Sequence, residues 1–542
     1  MRLVTVAGPP SCGKTSVLSR ACGLLAAQGV RTAVIKFDCL QTRDADAYAA
    51  AGITAVAALS GGLCPDHFFA TNLEEAWDWA TGTGAECCVI ETAGLCNRCS
   101  PHLRGALALC VVDNLMGIDA PEKIGPMLRL ADMVLVTKGD LVSQAEREVY
   151  RHRIRQMNGR ALIRHINGLT GQGCQELATV LSRAPDIATV TDMRLRFAMP
   201  AAVCSYCLSE TRIGARYQKG NVRKAEFAAV PTRDPEGEAA YAAGGEDEAR
   251  GANGPDGPDG PNEAGGAPMT SATATNTPAT ADTARPATGD APALRTLTVL
   301  AGHDKSGRAE QADVTFRPGE VTALLGPTGS GKSRFLYDIE SLADADTPSG
   351  RRILLDDAVP DADRRFALQG RLVAQLTQNM NFVLDMRVLP FIRMHAESRA
   401  VPDPEATARA VLAAANDLAG EPFADDAQLT QLSGGQSRAL MIADAALLSW
   451  SPVLLIDEIE NAGVDKRRAL DLLLRSDKIV VIATHDPVLA LSADRRLVFE
   501  HGAVRSVLRR TTEEARLLAH VAAMEDQLSD IRAQLRRGEP VA

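Results

Sequence analysis

The stretch Val321–Ser333, VTALLGPTGSGKS, decides the fold. A buried-strand pattern runs into GxxxxGKS, beginning at Gly326. Gly326 and Gly331 let backbone N–H groups curl around a phosphate, Lys332 reaches the terminal phosphates, and the Ser333 hydroxyl can ligate Mg²⁺. The chain opens the same way. LVTVAGPPSCGKTS, Leu3–Ser16, sets Gly8, Gly13, Lys14 and Thr15 in the equivalent positions. Strand, glycine-rich loop and helix, occurring twice, specify an α/β protein with two P-loop NTPase domains and mainly parallel sheets.

Working outward from Ser333, LSGGQ follows at Leu432–Gln436, and VLLIDE at Val453–Glu458 is an apolar strand ending in two acids. Asp457 is placed to hold the Mg²⁺ shell, and Glu458 to orient or deprotonate an attacking water. VVIATHD sets His485 at the end of another strand, near the expected γ-phosphate. In order and spacing these pieces resemble the ABC ATPase family over residues 294–510. The resemblance implies ATP as substrate. It makes Gln378 the Q-loop glutamine, Asp465 of NAGVD the D-loop aspartate, and Ser433, Gly434, Gly435 and Gln436 the signature that closes over the ATP of an opposite protomer. NAGVD replaces the commoner SALD, and LRTLTVLAGHDK lacks the Tyr or Phe that usually stacks on adenine. One P-loop and one signature per chain imply a homodimer. The short interval from Lys332 to Ser433 leaves no room for a long coiled-coil insertion and is similar to transporter subunits.

In the first half, TAVIKFD ends a strand at Asp38, and CCVIETAG puts Glu91 and Gly94 where a γ-phosphate sensor belongs. DMVLVTKGD ends in Thr137-Lys138-Gly139-Asp140, similar to the guanine-reading NKxD of GTPases with Thr for the initial Asn. A carboxylate at Asp140 accepts two hydrogen bonds from guanine N1–H and N2–H₂, which adenine cannot supply, so GTP is expected. INGLTGQG, containing Asn167–Gly173, falls where a last base-contacting loop belongs. Residues 1–185 resemble the metallochaperone GTPases that insert nickel for urease and hydrogenase. Their Cys-Pro-His motif is present as Cys64-Pro65-Asp66-His67, with Asp66 inserted.

All 12 cysteines lie between Cys12 and Cys207. Cys22, Cys87, Cys88 and Cys110 read as small buried hydrophobes. The CxxC pairs Cys96/Cys99 and Cys204/Cys207 are preorganised soft ligands, expected to share one Zn²⁺, Ni²⁺ or iron–sulfur cluster, with Cys64 and His67 as a transfer or alternative site. Two unrelated pairs, one of them redox-active, is the competing reading.

A chain of 542 residues exceeds one ordinary core. Between Pro231 and Pro292 there is no Leu, Ile, Val, Phe or Trp, so this stretch cannot offset its chain entropy by burial. The expected division is a GTPase-like domain (1–200), a CxxC-bearing tail (201–230), a disordered linker (231–293), an ABC domain (294–510) and a C-terminal helix (511–542). In that helix Leu517, Val521, Met524, Leu528, Ile531 and Leu535 form an a/d seam, which either pairs two chains as a coiled coil or packs on its own domain. The net charge of −10 argues against a general nucleic-acid binder. No apolar run is long enough to span a bilayer, so a cytoplasmic location is expected, with any place at the inner membrane face held through a partner.

Three functions fit these features. The first is a fused GTPase–ABC ATPase for metal or metallocluster trafficking, with a metalloprotein client. The second is the energy subunit of a transporter bound to a membrane permease. The third is a soluble ABC remodelling protein with redox-sensing cysteines.

Overall fold

The computed structural model describes residues 1–40, 42–95, 97, 99–197, 210–218, 223–227, 294–360, 365, 372–377, 380–449, 451–457, 464–475, 477–536 and 538. Gln378, Glu458, Cys96, Cys204, Cys207 and the expected linker 231–293 lie outside these residues.

The first half runs β1 (Arg2–Ala7), α1 (Lys14–Ala27), β2 (Thr32–Asp38), α2 (Asp44–Ala50), β3 (Thr54–Leu59), α3 (Pro65–Gly82), β4 (Cys87–Thr92) and β5 (Leu107–Asp113). It continues through α4 (Ala120–Ile124), α5 (Pro126–Arg129), β6 (Met133–Thr137), α6 (Gln144–Met157), β7 (Leu162–His165) and α7 (Cys174–Ser182). Its sheet has the order β3-β2-β4-β1-β5-β6-β7, with every pair parallel. Helices cover both faces, which is why β4 and β6 are buried along their whole length rather than alternately. One face packs Val6, Val89 and Val111 on Leu18, Cys22 and Leu177; the other packs Val112 and Val136 on Met127, Tyr150 and Ile154. Cys22, Cys87, Cys88 and Cys110 are fully buried, and burial pushes their thiols upward, Cys87 to about 12. They are packing residues, as expected.

The second half begins with β8 (Leu297–Leu300), β9 (Val314–Phe316), β10 (Val321–Leu325), α8 (Lys332–Glu340), β11 (Arg352–Leu355) and β12 (Val373–Leu376). A helical region follows with α9 (Val388–Ser398), α10 (Pro404–Leu418) and α11 (Gly434–Leu447). Then come β13 (Val453–Asp457), α12 (Lys466–Leu474), β14 (Ile479–Ala483), α13 (Pro487–Ser492), β15 (Arg495–Glu500), β16 (Ala503–Arg509) and α14 (Thr512–Arg536). The main sheet is β12-β13-β14-β10-β15-β16, parallel except for the β15–β16 hairpin; β11-β8-β9 forms a small antiparallel sheet. The fold class is therefore α/β with two mainly parallel sheets, as the motifs require.

Residues 1–229 and 291–542 form one compact unit. One element that joins the halves is α6, started by a capping box of Ser143 and Glu146. Tyr150 and Ile154 lie under the first sheet, whereas Ala145 and Val149 enter the second half's core beside Met380, Phe382, Leu384 and Phe391. At the other end of the chain, α14 buries Ala522 and ties Glu514 to Arg496 and Glu525 to Lys466. Of its seam residues, Leu517, Met524, Leu528, Ile531 and Leu535 are exposed and Val521 is half-buried.

Candidate functional site

In each half the P-loop leaves a central strand and turns into a helix through a left-handed glycine, Gly13 (φ 87°) before α1 and Gly331 (φ 110°) before α8. Neither helix start has a side-chain cap, so its first N–H groups are free to face an anion. A Cβ on Gly8 would meet the Val111 carbonyl oxygen at 2.1 Å, and one on Gly326 the Phe499 oxygen at 2.6 Å. Only glycine lets the loop lie this close to the sheet. Lys14 Nζ donates to the carbonyls of Gly8 (2.8 Å), Pro9 (2.9 Å) and Ala93 (3.4 Å). Lys332 Nζ donates to Gly326 O at 2.6 Å. Both ammonium groups are thus held within the glycine-lined cradle that the phosphates require.

In the second half, β13 and β14 lie side by side and β14 borders β10. Asp457 is in register with Ala483. This gathers the strand ends bearing Asp457 and His485 at the P-loop, where His485 Nε2 stands 3.2 Å from Lys332 Nζ. Ser333 is exposed in the first turn of α8. The signature starts α11: Ser433 Oγ accepts from Gln436 N at 3.3 Å, and Gln436 Oε1 accepts from Ser433 N at 2.9 Å. Ser433 and Gly434 are exposed. Gln436 is therefore a capping partner in this chain. Asp465 likewise caps α12, accepting from the N–H groups of Arg467 and Arg468.

In the first half Glu91 is fully buried, and its carboxylate accepts from Lys36 Nζ (2.6 Å), Tyr48 Oη (2.6 Å) and Thr15 Oγ1 (3.2 Å). Asp38 turns its carboxylate to the Cys39 N–H. Gly94 closes against Gly8. The TKGD segment is latched to the P-loop: Thr137 Oγ1 donates to Cys12 O (2.7 Å), and Lys138 Nζ donates to Ser11 O (3.0 Å) and Asp113 (2.8 Å). Asn167 donates to Asp140 Oδ1 at 3.0 Å, so the last loop of the sequence reading orients that carboxylate. Lys36, Tyr48 and Asp113 were not among the sequence candidates. A lysine inside the buried strand TAVIKFD and an aspartate ending the apolar strand LALCVVD were the available signals.

The cysteines regroup. Cys64, His67 and Cys99 place their ligand atoms within 4.8 Å of one another. Cys99 therefore joins the Cys64/His67 pair, which the sequence reading had set apart as an alternative site. Hydrogen bonding with Cys99 and the nearness of His67 hold the Cys64 thiol down to about 4. Cys64 also stands at the N-cap position of α3, whose positive end favours a thiolate. Two sulfurs and one imidazole suit Zn²⁺ or Ni²⁺ and leave further coordination positions open. Asp66, the inserted residue, is buried against Cys64, His67 and Thr92, and burial, then Cys64, raises its carboxyl to about 7. Its neighbour Thr92 is the residue after Glu91.

Two phosphate cradles at the ends of parallel strands, each with its lysine in place, define a P-loop NTPase twice over. The comparisons agree. The family model of the CobW/HypB/UreG nucleotide-binding domain matches residues 2–164, and that of the ABC transporter matches residues 309–461. The chain is 47% identical over 247 residues to the uncharacterized ABC transporter ATP-binding protein MJ0121 of Methanocaldococcus jannaschii, covering 45% of this chain and 94% of that one. It is 44% identical over 224 residues to the uncharacterized protein MJ0120 of the same organism, covering 41% and 96%. The L-cystine transport system ATP-binding protein TcyN of Escherichia coli is 32% identical over 208 residues, covering 35% and 80%. The chain belongs to the ABC ATPase family and carries a CobW/HypB/UreG nucleotide-binding domain ahead of the ABC domain. It is an enzyme of the nucleotide-hydrolysing class. Among the described residues, no helix is long and apolar enough to cross a membrane.

Proposed function

We propose that the chain hydrolyses ATP as a homodimer through its ABC domain and uses a GTP-binding metallochaperone-like domain to hold and release a transition metal for a metalloprotein client. The observation that carries this reading is the convergence of Cys64, His67 and Cys99 near β4, the strand that carries Glu91.

Each residue has a task in this scheme. At the ABC site Lys332 and the α8 N-terminus bind phosphates, and His485 is set to contact the γ-phosphate. Glu458 deprotonates or orients the attacking water, and Gln378 reports the state of the site. Ser433–Gln436 and Asp465 close from the opposite protomer, which fits the exposure of Ser433 and Gly434. Mg²⁺, when bound through Ser333 and Asp457, neutralises developing phosphate charge. In the first domain Lys14 and the α1 N-terminus bind phosphates, Thr15 and Asp38 face the Mg²⁺ shell, and Lys138 and Asp140 select guanine. A change at the γ-phosphate alters Glu91 and Gly94, and through Thr92 and Asp66 the thiolates that hold the metal cargo. Cys96, Cys204 and Cys207 supply further soft ligands for the transfer.

The test is metal content per chain after anaerobic purification, with GTP, GDP and no nucleotide. Substoichiometric metal in all three states would sink the trafficking role. The transport-system name of one relative supports a second reading, an energy subunit working with a permease. Co-isolation with a membrane protein would favour it.

A further inference from the structure

Asn381, Val383 and Leu384, a few residues after Gln378, are held by the first half of the chain. Val142 makes a bridge to Asn381, and Glu146 Oε1 accepts from the N–H groups of Val383 (2.8 Å) and Leu384 (2.9 Å). The other oxygen of the same carboxylate, Oε2, accepts from Ser143 N at 2.9 Å and so closes the start of α6. One buried carboxylate thus joins two backbone segments from different halves. Two residues further along, Glu148 meets His395 Nε2 at 2.6 Å and pairs with Arg399, while Asp444 of α11 holds His395 Nδ1 at 2.8 Å. Ala145 and Val149 fill the apolar space between these polar contacts.

The other end of this junction is the base-reading side of the first nucleotide site. Asp140 stands three residues before Ser143, and Arg147 of α6 packs against Gly139. Arg147 is buried and lies within electrostatic reach of both Asp140 and Glu340, the last residue of α8. Gln172, on the loop that orients Asp140 through Asn167, donates to Glu340 at 2.7 Å. The helix that begins at the ATP-site lysine therefore ends on the guanine-side loops.

We infer that α6 is the internal partner of the ABC domain and that guanine nucleotide at Asp140 and ATP at Lys332 change each other's affinity through the junction it forms with the loop of Gln172 and the end of α8. Two routes carry the coupling: Asp140–Ser143–Glu146 to the backbone of Val383 and Leu384, and Asn167–Gln172–Glu340 along α8. The inference rests on the guanine reading of the first site and adds a partner and a mode of control to it. Because binding free energies are linked reciprocally, filling either site must shift the other by the same factor.

The experiment uses the full chain. Affinity for a fluorescent guanosine imidotriphosphate is measured with a saturating non-hydrolysable ATP analogue, in wild type and in Lys332→Ala, where the analogue can act only by competition at the first site. The expected difference between the two is about fivefold or more. In Glu146→Ala and Val149→Lys the difference narrows, and in the double variant Glu146→Ala/Glu340→Ala, which breaks both routes, it falls to one, while guanine nucleotide still binds. Equal affinities in wild type and Lys332→Ala would overturn the inference without recourse to the interface variants. Guanine binding without coupling would remove this inference alone, whereas absence of guanine binding would remove the GTPase reading with it.

Discussion

Gly94 rests on Gly8 so closely that a Cβ on Gly94 would fall 1.7 Å from the Gly8 carbonyl oxygen. Its φ of 72° independently requires a left-handed conformation that L side chains rarely adopt. The loop after β4 and the P-loop therefore move as one body. Gly94→Ala is expected to destabilise the first half by roughly 2 kcal/mol or more and to weaken guanine-nucleotide binding at least about tenfold, since both clash and backbone strain must be relieved. Thermal unfolding and nucleotide titration measure the two effects; wild-type values for both would show that the loops are independent.

Asp140→Asn should relax or invert the preference for GTP over ATP at the first site, at a cost of roughly 2–5 kcal/mol for guanine nucleotide. The carboxylate is already oriented by Asn167, so Asn167→Ala should lower guanine affinity in the same direction and by less. Competition titrations with GTP and ATP decide this. An unchanged GTP-to-ATP ratio in Asp140→Asn would reject the carboxylate as the selector.

Cys99→Ser is expected to remove most bound metal, as are Cys64→Ser and His67→Ala, because their three ligand atoms converge. Cys88→Ser serves as the control, since that thiol is buried in β4. Elemental analysis of each anaerobically purified variant is the readout. Full metal content in Cys99→Ser would place the metal elsewhere.

Glu458→Gln should accumulate an ATP-bound dimer, because closure proceeds while the water is not activated. On the reading that the exposed seam of α14 pairs two chains as a coiled coil, Leu528→Lys should weaken that dimer. Light scattering with ATP distinguishes the outcomes: a Glu458→Gln protein that stays monomeric and turns over ATP would contradict the assignment of Glu458.

His102 sets an acid limit on the first half. It is fully buried, within 3.1 Å of Thr5 Oγ1 and 2.9 Å of Met127 O, and burial depresses its imidazole to about 4. A histidine whose folded pKa lies below its unfolded value of about 6.5 leaves the unfolded chain binding more protons between these values. Stability is thus unaffected by this group above about pH 6.5 and falls as pH drops toward 4, by up to about 3 kcal/mol. His102→Gln should flatten that slope in denaturant titrations at successive pH values; an identical slope would assign the acid sensitivity to other groups.

The P-loops, the strand ends at Asp457 and His485 and the TKGD segment were legible because local spacing alone specifies a phosphate cradle and its flanking strands. Cys64, His67 and Cys99 were legible as candidate ligands and not as a set. Nothing in the spacing of Cys64 and Cys99 says that the N-terminus of α3 comes up beside the loop after β4. Asp66 read as an interruption, yet it is the buried acid of that cluster. The α6 junction was invisible for a different reason. Ser143-x-x-Glu146 reads as an ordinary capping box, and the second use of Glu146 depends on partners 237 and 238 residues away.

That distance has a consequence for how the protein is made. At about 5–20 residues per second, α6 leaves the ribosome tens of seconds before Val383, Leu384 and His395 are synthesised. During that interval Ala145 and Val149 have no apolar covering from the second half, and Glu146 and Glu148 lack their distant partners. The nascent first half must therefore wait in a state that is sticky along one helix. Conditions that slow translation between the halves, or that truncate the message, should send the product toward aggregation rather than toward a usable fragment.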